Sequence, residues 1–421
     1  MLRLLHTSDW HLGQSLRDMD RHEEHRLFLA WLGNLLEDNH RKGTPFHATL
    51  VAGDVFDGPN PSARAQGLYY DFIEKARHFT RLVITAGNHD SAERLQAPSP
   101  LLERLGTFVT GGWPEPGAAD LDSMIVPVQG EGESALVLAM PFLRLGDLGS
   151  FTSEQAGTHF VEAHRKRYRQ LLEATQQSTA YRSVAGQALI GMGHCFVSGA
   201  TTNEDTERRV GNQDELPHDI FPPELSYVAL GHLHKAQKIG GKEYIRYSGS
   251  ALPLGFSEVS YKHQVVDVTI ENGVFVSATP IFIPRSREFL VIPKLHAPWP
   301  EVQIALQSLP AIQENNPSDP LRPLLEIRIE PSDPSISGLR EQILSLLSDK
   351  WPLLFRIDFS KNSMEGSLGA LMDSRSLEDI QPEEVFRTLC AEKKIDPSLM
   401  EELLHDFHSL LTDSHEQGGA K

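Results

Sequence analysis

Five times within its first 234 residues the chain repeats one local pattern, in which a short apolar run stops in a cluster of Asp, His, Asn and Gly. Leu2 to Leu5 lead into Thr7-Ser8-Asp9-Trp10-His11, and Ala48 to Ala52 lead into Gly53-Asp54-Val55-Phe56-Asp57. Leu82 to Ala86 lead into Gly87-Asn88-His89-Asp90, Ala188 to Met192 into Gly193-His194, and Tyr227 to Leu230 into Gly231-His232-Leu233-His234. Runs this short and this apolar predict buried strands. Between them lie helical patterns, such as Phe28, Trp31, Leu32, Leu35 and Leu36. Strands alternating with helices give an α/β domain, and in such sheets sites form just past the carboxyl ends of the strands. All five clusters are predicted there.

The residue types in those clusters point to metal chemistry. Asp9 and His11 lie two apart, so on a strand end both side chains can turn the same way. His232 and His234 repeat that geometry. Asp54 offers a carboxylate with two oxygens, able to bridge two cations, Asn88 a neutral amide oxygen and His194 an imidazole. Seven donors of mixed N and O type without a thiolate suit a dinuclear site of borderline-hard cations, which favours Mn²⁺ and leaves Fe or Zn open. Two ions roughly 3.5–4 Å apart can hold a phosphodiester oxygen and activate water for in-line attack. His89, beside Asn88, falls near the phosphate, where it can stabilise charge or protonate the leaving alkoxide. Asp57 can orient His89 by hydrogen bonding, or be a turn carboxylate only. Both readings stand.

The expected organisation is a first domain over residues 1–284, a small capping domain over 285–380 and a helical segment over 381–421. The stretch Ala297 to Pro323, rich in proline and polar residues, reads as a loop-bearing boundary. Beyond it, Leu325 to Glu330 alternates with period two, Ile336, Leu339, Ile343, Leu346 and Leu347 mark a helix face, and Leu354 to Phe359 alternate again. Near the end Leu399, Leu403, Leu404, Phe407, Leu410 and Leu411 form a helical stripe, following Val385, Phe386 and Leu389. That stripe either packs on its own domain or docks a partner.

The net charge of −18 excludes a protein that grips nucleic acid with a basic surface alone. Metal dications or a partner must offset it. The densest basic stretch, Arg165, Lys166, Arg167 and Arg169, reads as a solvated helix face before a phosphate-contacting ridge, and Arg144, Arg208 and Arg209 are equally open. No membrane span and no signal-peptide core are expected, and the two cysteines, Cys195 and Cys390, fit the cytoplasm.

With D-x-H, G-D-x-x-D, G-N-H-D, G-H and G-H-x-H in this order, the chain resembles the calcineurin-like metallophosphoesterases. Within them it is similar to the SbcD family of bacterial nuclease subunits. The closer likeness rests on His6 to Gln14, Ala52 to Asp57, Ala86 to Ser91, Ala229 to His234, and Ser248 to Phe256. It is strong over residues 1–284, weaker over the cap, and returns around Gln381 to Leu389. The resemblance implies a β-sandwich flanked by helices, with a small α+β cap and C-terminal helices. It implies one metal on Asp9, His11 and His234 and another on Asn88, His194 and His232, with Asp54 bridging and His89 as the catalytic histidine. It further implies an SbcC-type ATPase bound through the C-terminal helices, and a homodimer within a heterotetramer. The implied reactions are ATP-dependent 3′ to 5′ degradation of double-stranded ends and opening of hairpins, in repair, recombination and replication. The eukaryotic and archaeal counterpart often has histidine where this chain has Asp57, so its role there is not carried over. Gly58 and Asp90 stand where phosphoprotein phosphatases carry Arg and Glu, which argues against phosphoprotein substrates. The competing readings are a small-molecule phosphodiesterase or nucleotidase on the same fold, and a non-catalytic scaffold for the ATPase.

Overall fold

The computed structural model describes residues 1–114, 121–148, 156–178, 187–200, 215–312, 318–330, 338–360 and Phe386. The chain divides into two compact units, Met1–Ser286 and Arg287–Lys421.

In chain order the strands of the first unit are β1 (Leu2–Thr7), β2 (Ser15–Leu16), β3 (Met19–Asp20), β4 (Ala48–Ala52), β5 (Arg81–Thr85), β6 (Thr107–Thr110) and β7 (Ile125–Gln129). They continue as β8 (Ser134–Leu138), β9 (Ala188–His194), β10 (Tyr227–Gly231), β11 (Gln237–Ile239), β12 (Lys242–Tyr247), β13 (Gln264–Glu271) and β14 (Val274–Phe282). Two six-stranded sheets result, ordered β14-β13-β1-β4-β5-β6 and β11-β12-β10-β9-β8-β7. In the first, β1, β4, β5 and β6 run parallel. In the second, β8, β9, β10 and β12 do.

The sheets face each other across one apolar layer, to which Leu4, Leu50 and Val83 contribute from the first and Val137, Ile190 and Ala229 from the second. Helices His22–Arg41 and Ala63–Ala76 cover the outer face of the first sheet, with Phe28, Leu32, Phe72 and Ile73 turned inward. Helix Ala156–Gln177 covers the second sheet through Tyr168 and Leu171. A strand with a layer on each face has no solvent side, which is why β4, β8 and β10 are apolar apart from Thr49 and Ser134 and are buried throughout.

The second unit holds β15 (Phe289–Ala297), β16 (Leu324–Ile329) and β17 (Leu353–Phe359), all parallel and in that order. Helices Trp299–Gln307 and Leu339–Leu347 fill the crossovers and bury Val302, Leu306, Ile343 and Leu347 against Leu325 and Ile327. The loop expected over Ala297 to Pro323 therefore contains a helix. Pro298 and Pro300, which suggested a break, sit at its first turn, where a fixed φ and a missing N–H are tolerated. The tail stripe from Leu399 to Leu411, Arg208 and Arg209 lie outside the described residues, as does the expected segment 381–421 apart from Phe386. Among the described residues no helix is long and apolar enough to cross a membrane.

Candidate metal centre

The loops leaving β1, β4, β5, β9 and β10 bring all nine predicted residues to one place. The first two loops are laced together by the backbone, with the amides of Asp9, Trp10, His11 and Leu12 donating to the carbonyls of Gly53, Asp54, Asp54 and Val55. Asp9 and His11 turn toward the site while Trp10 points the other way, fully buried against Phe28 and Phe72 and donating from Nε1 to Thr7 Oγ1. That anchor explains how a short polar loop holds its shape. Asp9, His11, Asp54 and His232 have φ of 50°, 47°, 49° and 105°. Non-glycine residues at positive φ are uncommon and cost free energy, and they gather where a site over-determines the backbone.

Asp54 is the hub. Its Oδ2 lies 3.3 Å from His194 Nε2 and 3.6 Å from His11 Nε2. Its Oδ1 accepts the His89 backbone N–H at 2.9 Å. Asn88 Oδ1 faces two imidazoles at once, His194 Nε2 and His232 Nδ1, each at 3.0 Å. Asp9 Oδ1 accepts the His232 amide at 2.9 Å, and Ser8 Oγ donates to Asp9 Oδ2. Donor atoms of Asp9, His11 and His234 lie within 4.8 Å of one another, as do those of Asp9, Asp54 and His194.

His89 Nδ1 sits 2.9 Å from the backbone carbonyl of Asp57. Asp57 thus touches His89 through its main chain, and its carboxylate goes elsewhere, to 3.2 Å from His11 Nδ1. The hydrogen bond between Asp57 and His89 considered from the sequence is thus made by the backbone carbonyl.

The comparisons with known proteins bear on these loops directly. A calcineurin-like phosphoesterase model matches residues 2–236, and a model described as a type 5 capsule protein repressor C-terminal domain matches residues 285–394. The SbcD subunit of the SbcCD nuclease of Rhodobacter capsulatus is 40% identical over 319 residues, covering 73% of this chain and 76% of its own. The SbcD subunit from Escherichia coli K12 is 30% identical over 416 residues, covering 97% and 98%. The one from Bacillus subtilis is 33% identical over 278 residues, covering 65% and 67%. The chain belongs to the SbcD family of calcineurin-like phosphoesterases. As a member it is a metal-dependent hydrolase of the phosphodiesterase type, related to nuclease subunits.

The SbcD-family fold implies divalent cations, and the donors present fit them. His11 is buried with no hydrogen bond at Nε2, and its Nδ1 has only the ion-pair contact to the Asp57 carboxylate at 3.2 Å, an arrangement that costs free energy unless a cation takes the Nε2 lone pair. The electrostatics agree. Burial works against charge on Asp54, but His194, His11 and His89 around it hold its carboxyl well below the usual range. Burial likewise opposes charge on His194, yet Asp54 pushes its pKa up to about 9. Burial and the neighbouring His194 push His232 down to about 3. A carboxylate held ionised among imidazoles is a site already arranged for positive charge.

Several supporting residues were not singled out from the sequence. Buried Asp90 braces the loops by accepting the amides of Gly87, Val55 and Phe56 at 2.9, 3.1 and 2.9 Å. Burial, then the nearby Asp54 charge, raises its pKa to about 6. Glu258 lies 2.7 Å from His234 Nδ1, and Ser248 Oγ lies 2.7 Å from Ser8 Oγ. Only Asp90 carried a signal, as the last letter of G-N-H-D. Of the basic stretch, Arg165 pairs with Glu162 and Asp219, and Arg167 stacks on Trp113 at 4.5 Å. Arg144 donates to the Asp90 carbonyl at 2.7 Å and lines a cavity of about 860 Å³ with Asn88, Asp90 and Trp113.

Gly87 shows how tightly the loops meet. A Cβ there would fall 2.0 Å from Asp54 Oδ1 and 2.3 Å from its backbone nitrogen, so a methyl group must push the hub carboxylate away. Gly87→Ala is expected to cost about 1–3 kcal/mol in thermal or denaturant unfolding and to weaken manganese binding. Gly58→Ala, with nothing within 4 Å of the new Cβ, serves as the silent control. Equal behaviour of the two variants would contradict this packing.

Proposed function

We propose that the chain is the manganese-dependent nuclease subunit of an SbcC-type ATPase complex, cutting DNA as a 3′ to 5′ double-strand exonuclease and a hairpin-opening endonuclease. The observation that carries the reading is the convergence of six N and O donor residues around Asp54 with His89 at their edge. In this reading Asp9, His11 and His234 would hold one cation and Asn88, His194 and His232 the other, with Asp54 available to both. Cations held there would supply Lewis-acid polarisation of the phosphodiester and a more acidic water. His89, its Nδ1 engaged by the Asp57 carbonyl, keeps Nε2 for the phosphate or the leaving alkoxide. Asp57 supports His11 from its other nitrogen.

The partner belongs to the proposal for a physical reason. A chain of net charge −18 lacks the cationic surface that duplex DNA needs, so the ATPase supplies the grip and the C-terminal segment 381–421 the tether. A homodimer within the complex belongs to the same proposal. A cytoplasmic setting goes with this function.

The test uses the full chain with labelled duplex and hairpin DNA, in Mn²⁺ or Mg²⁺, with and without the ATPase and ATP. Manganese-dependent cutting of both substrates, strongest with the partner in a complex that light scattering sizes at two copies of each chain, is the expected result. Hydrolysis of bis-p-nitrophenyl phosphate without any DNA cutting in the complete mixture would favour a small-molecule phosphodiesterase instead.

A further inference from the structure

We propose that Glu258 is a positioning residue that fixes His234 so that its Nε2 lone pair, and no other, faces the metal centre; this rests on the reading of His234 as a metal ligand. Carboxylates are almost never fully buried unless paired, and Glu258 has no exposed surface. Each of its oxygens has one defined task. Oε1 accepts the Nδ1 proton of His234 at 2.7 Å, and Oε2 accepts the Leu254 amide at 2.8 Å. With both oxygens fixed the carboxylate cannot rotate, and neither can the imidazole that leans on it. Nδ1 is then occupied by a proton, which leaves Nε2 as the nitrogen with a free lone pair, and a ring nitrogen of His234 lies within 4.8 Å of donor atoms of Asp9 and His11.

The support continues behind Glu258. The carbonyl of Pro253 accepts from Arg21 Nη1 at 2.7 Å, and that of Leu254 from Gln14 Nε2 at 3.2 Å. Arg21 is itself fully buried and forked onto Glu24, with Nε–Oε2 at 3.1 Å and Nη2–Oε1 at 2.7 Å. A chain of satisfied contacts thus runs from the start of helix His22–Arg41, through the Pro253–Glu258 loop, to one candidate ligand. His194 uses a backbone carbonyl, that of Ala52 at 2.9 Å, for the same purpose. A carboxylate in that place also raises the basicity of the imidazole it holds, so losing it weakens the metal as well as the geometry.

The experiment is calorimetric titration of Mn²⁺ into the full chain, checked by the electron paramagnetic signal of free Mn²⁺, for wild type, Glu258→Gln and His234→Ala. Glu258→Gln is expected to weaken one of two equivalents about 10–100-fold and leave the other nearly unchanged. Equal loss of both, in step with a lowered melting temperature, would mean that Glu258 only holds the loop, and would overturn the proposal. If His234→Ala removes one equivalent while Glu258→Gln alters neither, the role of Glu258 falls and the metal site stands. If His234→Ala leaves both intact, the ligand assignment falls with it. A second measurement needs no folded variant. In the zinc-loaded wild type labelled with ¹⁵N-histidine, His234 Nδ1 keeps its proton and Nε2 carries none; the opposite tautomer would refute the proposal.

Discussion

His89→Ala is expected to lower DNA cleavage by about 10²–10⁴-fold while both manganese equivalents still bind. The contacts of His89 separate it from the ligand set. Its backbone amide donates to Asp54 Oδ1, its Nδ1 meets the Asp57 carbonyl, and its ring meets that of His11 edge-on at 4.9 Å. None of these needs the imidazole in order to hold a cation, since Asp54 keeps the His89 amide in any variant. The rival possibility is concrete, because donor atoms of His11, Asp57 and His89 also lie within 4.8 Å of one another. A cation there would make His89 a ligand. Metal titration of the variant beside single-turnover cleavage distinguishes the two. Loss of an equivalent in step with the rate would make His89 a ligand, and an unchanged rate would remove it from the chemistry altogether.

The parts of the fold that carry the site were legible because burial and chemistry coincide there. β4 and β10 read as strands from consecutive apolar residues, and the polar residues that interrupt them are the ones that turn toward the centre. What the sequence did not show lies in contacts between distant segments. Glu258 is 24 residues from His234 with nothing in its local pattern to mark it, and Asp90, 35 from Val55, showed as a motif letter but not as a brace. Asp57 shows how much the backbone decides. Spacing placed it near His89, but which of its oxygens made the contact depends on the turn that follows Asp54, and the backbone carbonyl took it. In the second unit, proline at a first turn and proline in a loop look alike in sequence. The helix Trp299–Gln307, with two buried side chains, offered too weak a stripe to decide between them.

Asp54→Asn is expected to abolish tight binding of both cations and to lower cleavage by at least about a thousandfold. Cations supply several kcal/mol of charge stabilisation in phosphoryl chemistry, and each ~1.36 kcal/mol is tenfold in rate. The change is nearly isosteric, so the metal-free protein keeps its fold, and its pH dependence gives a second readout. His194, raised from an ordinary 6.5 to about 9 by Asp54, contributes stability that is fully present below pH 6.5 and is lost as pH rises through about 9. Asp54, held below its ordinary 3.8, contributes stability present above that value and lost as pH falls into the acid range. The pair therefore favours the metal-free fold most between these limits. Cations need neutral imidazoles, so their affinity moves the other way, rising from pH 6.5 toward 9 as His194 gives up its proton. Metal-free wild type should lose melting temperature over that interval, and Asp54→Asn should lose less, because His234, held up at about 9 by its hydrogen bond to Glu258 against the effect of burial, still contributes a falling slope. If the variant keeps both manganese equivalents, or the two metal-free proteins show the same slope, Asp54 is not the hub of this site.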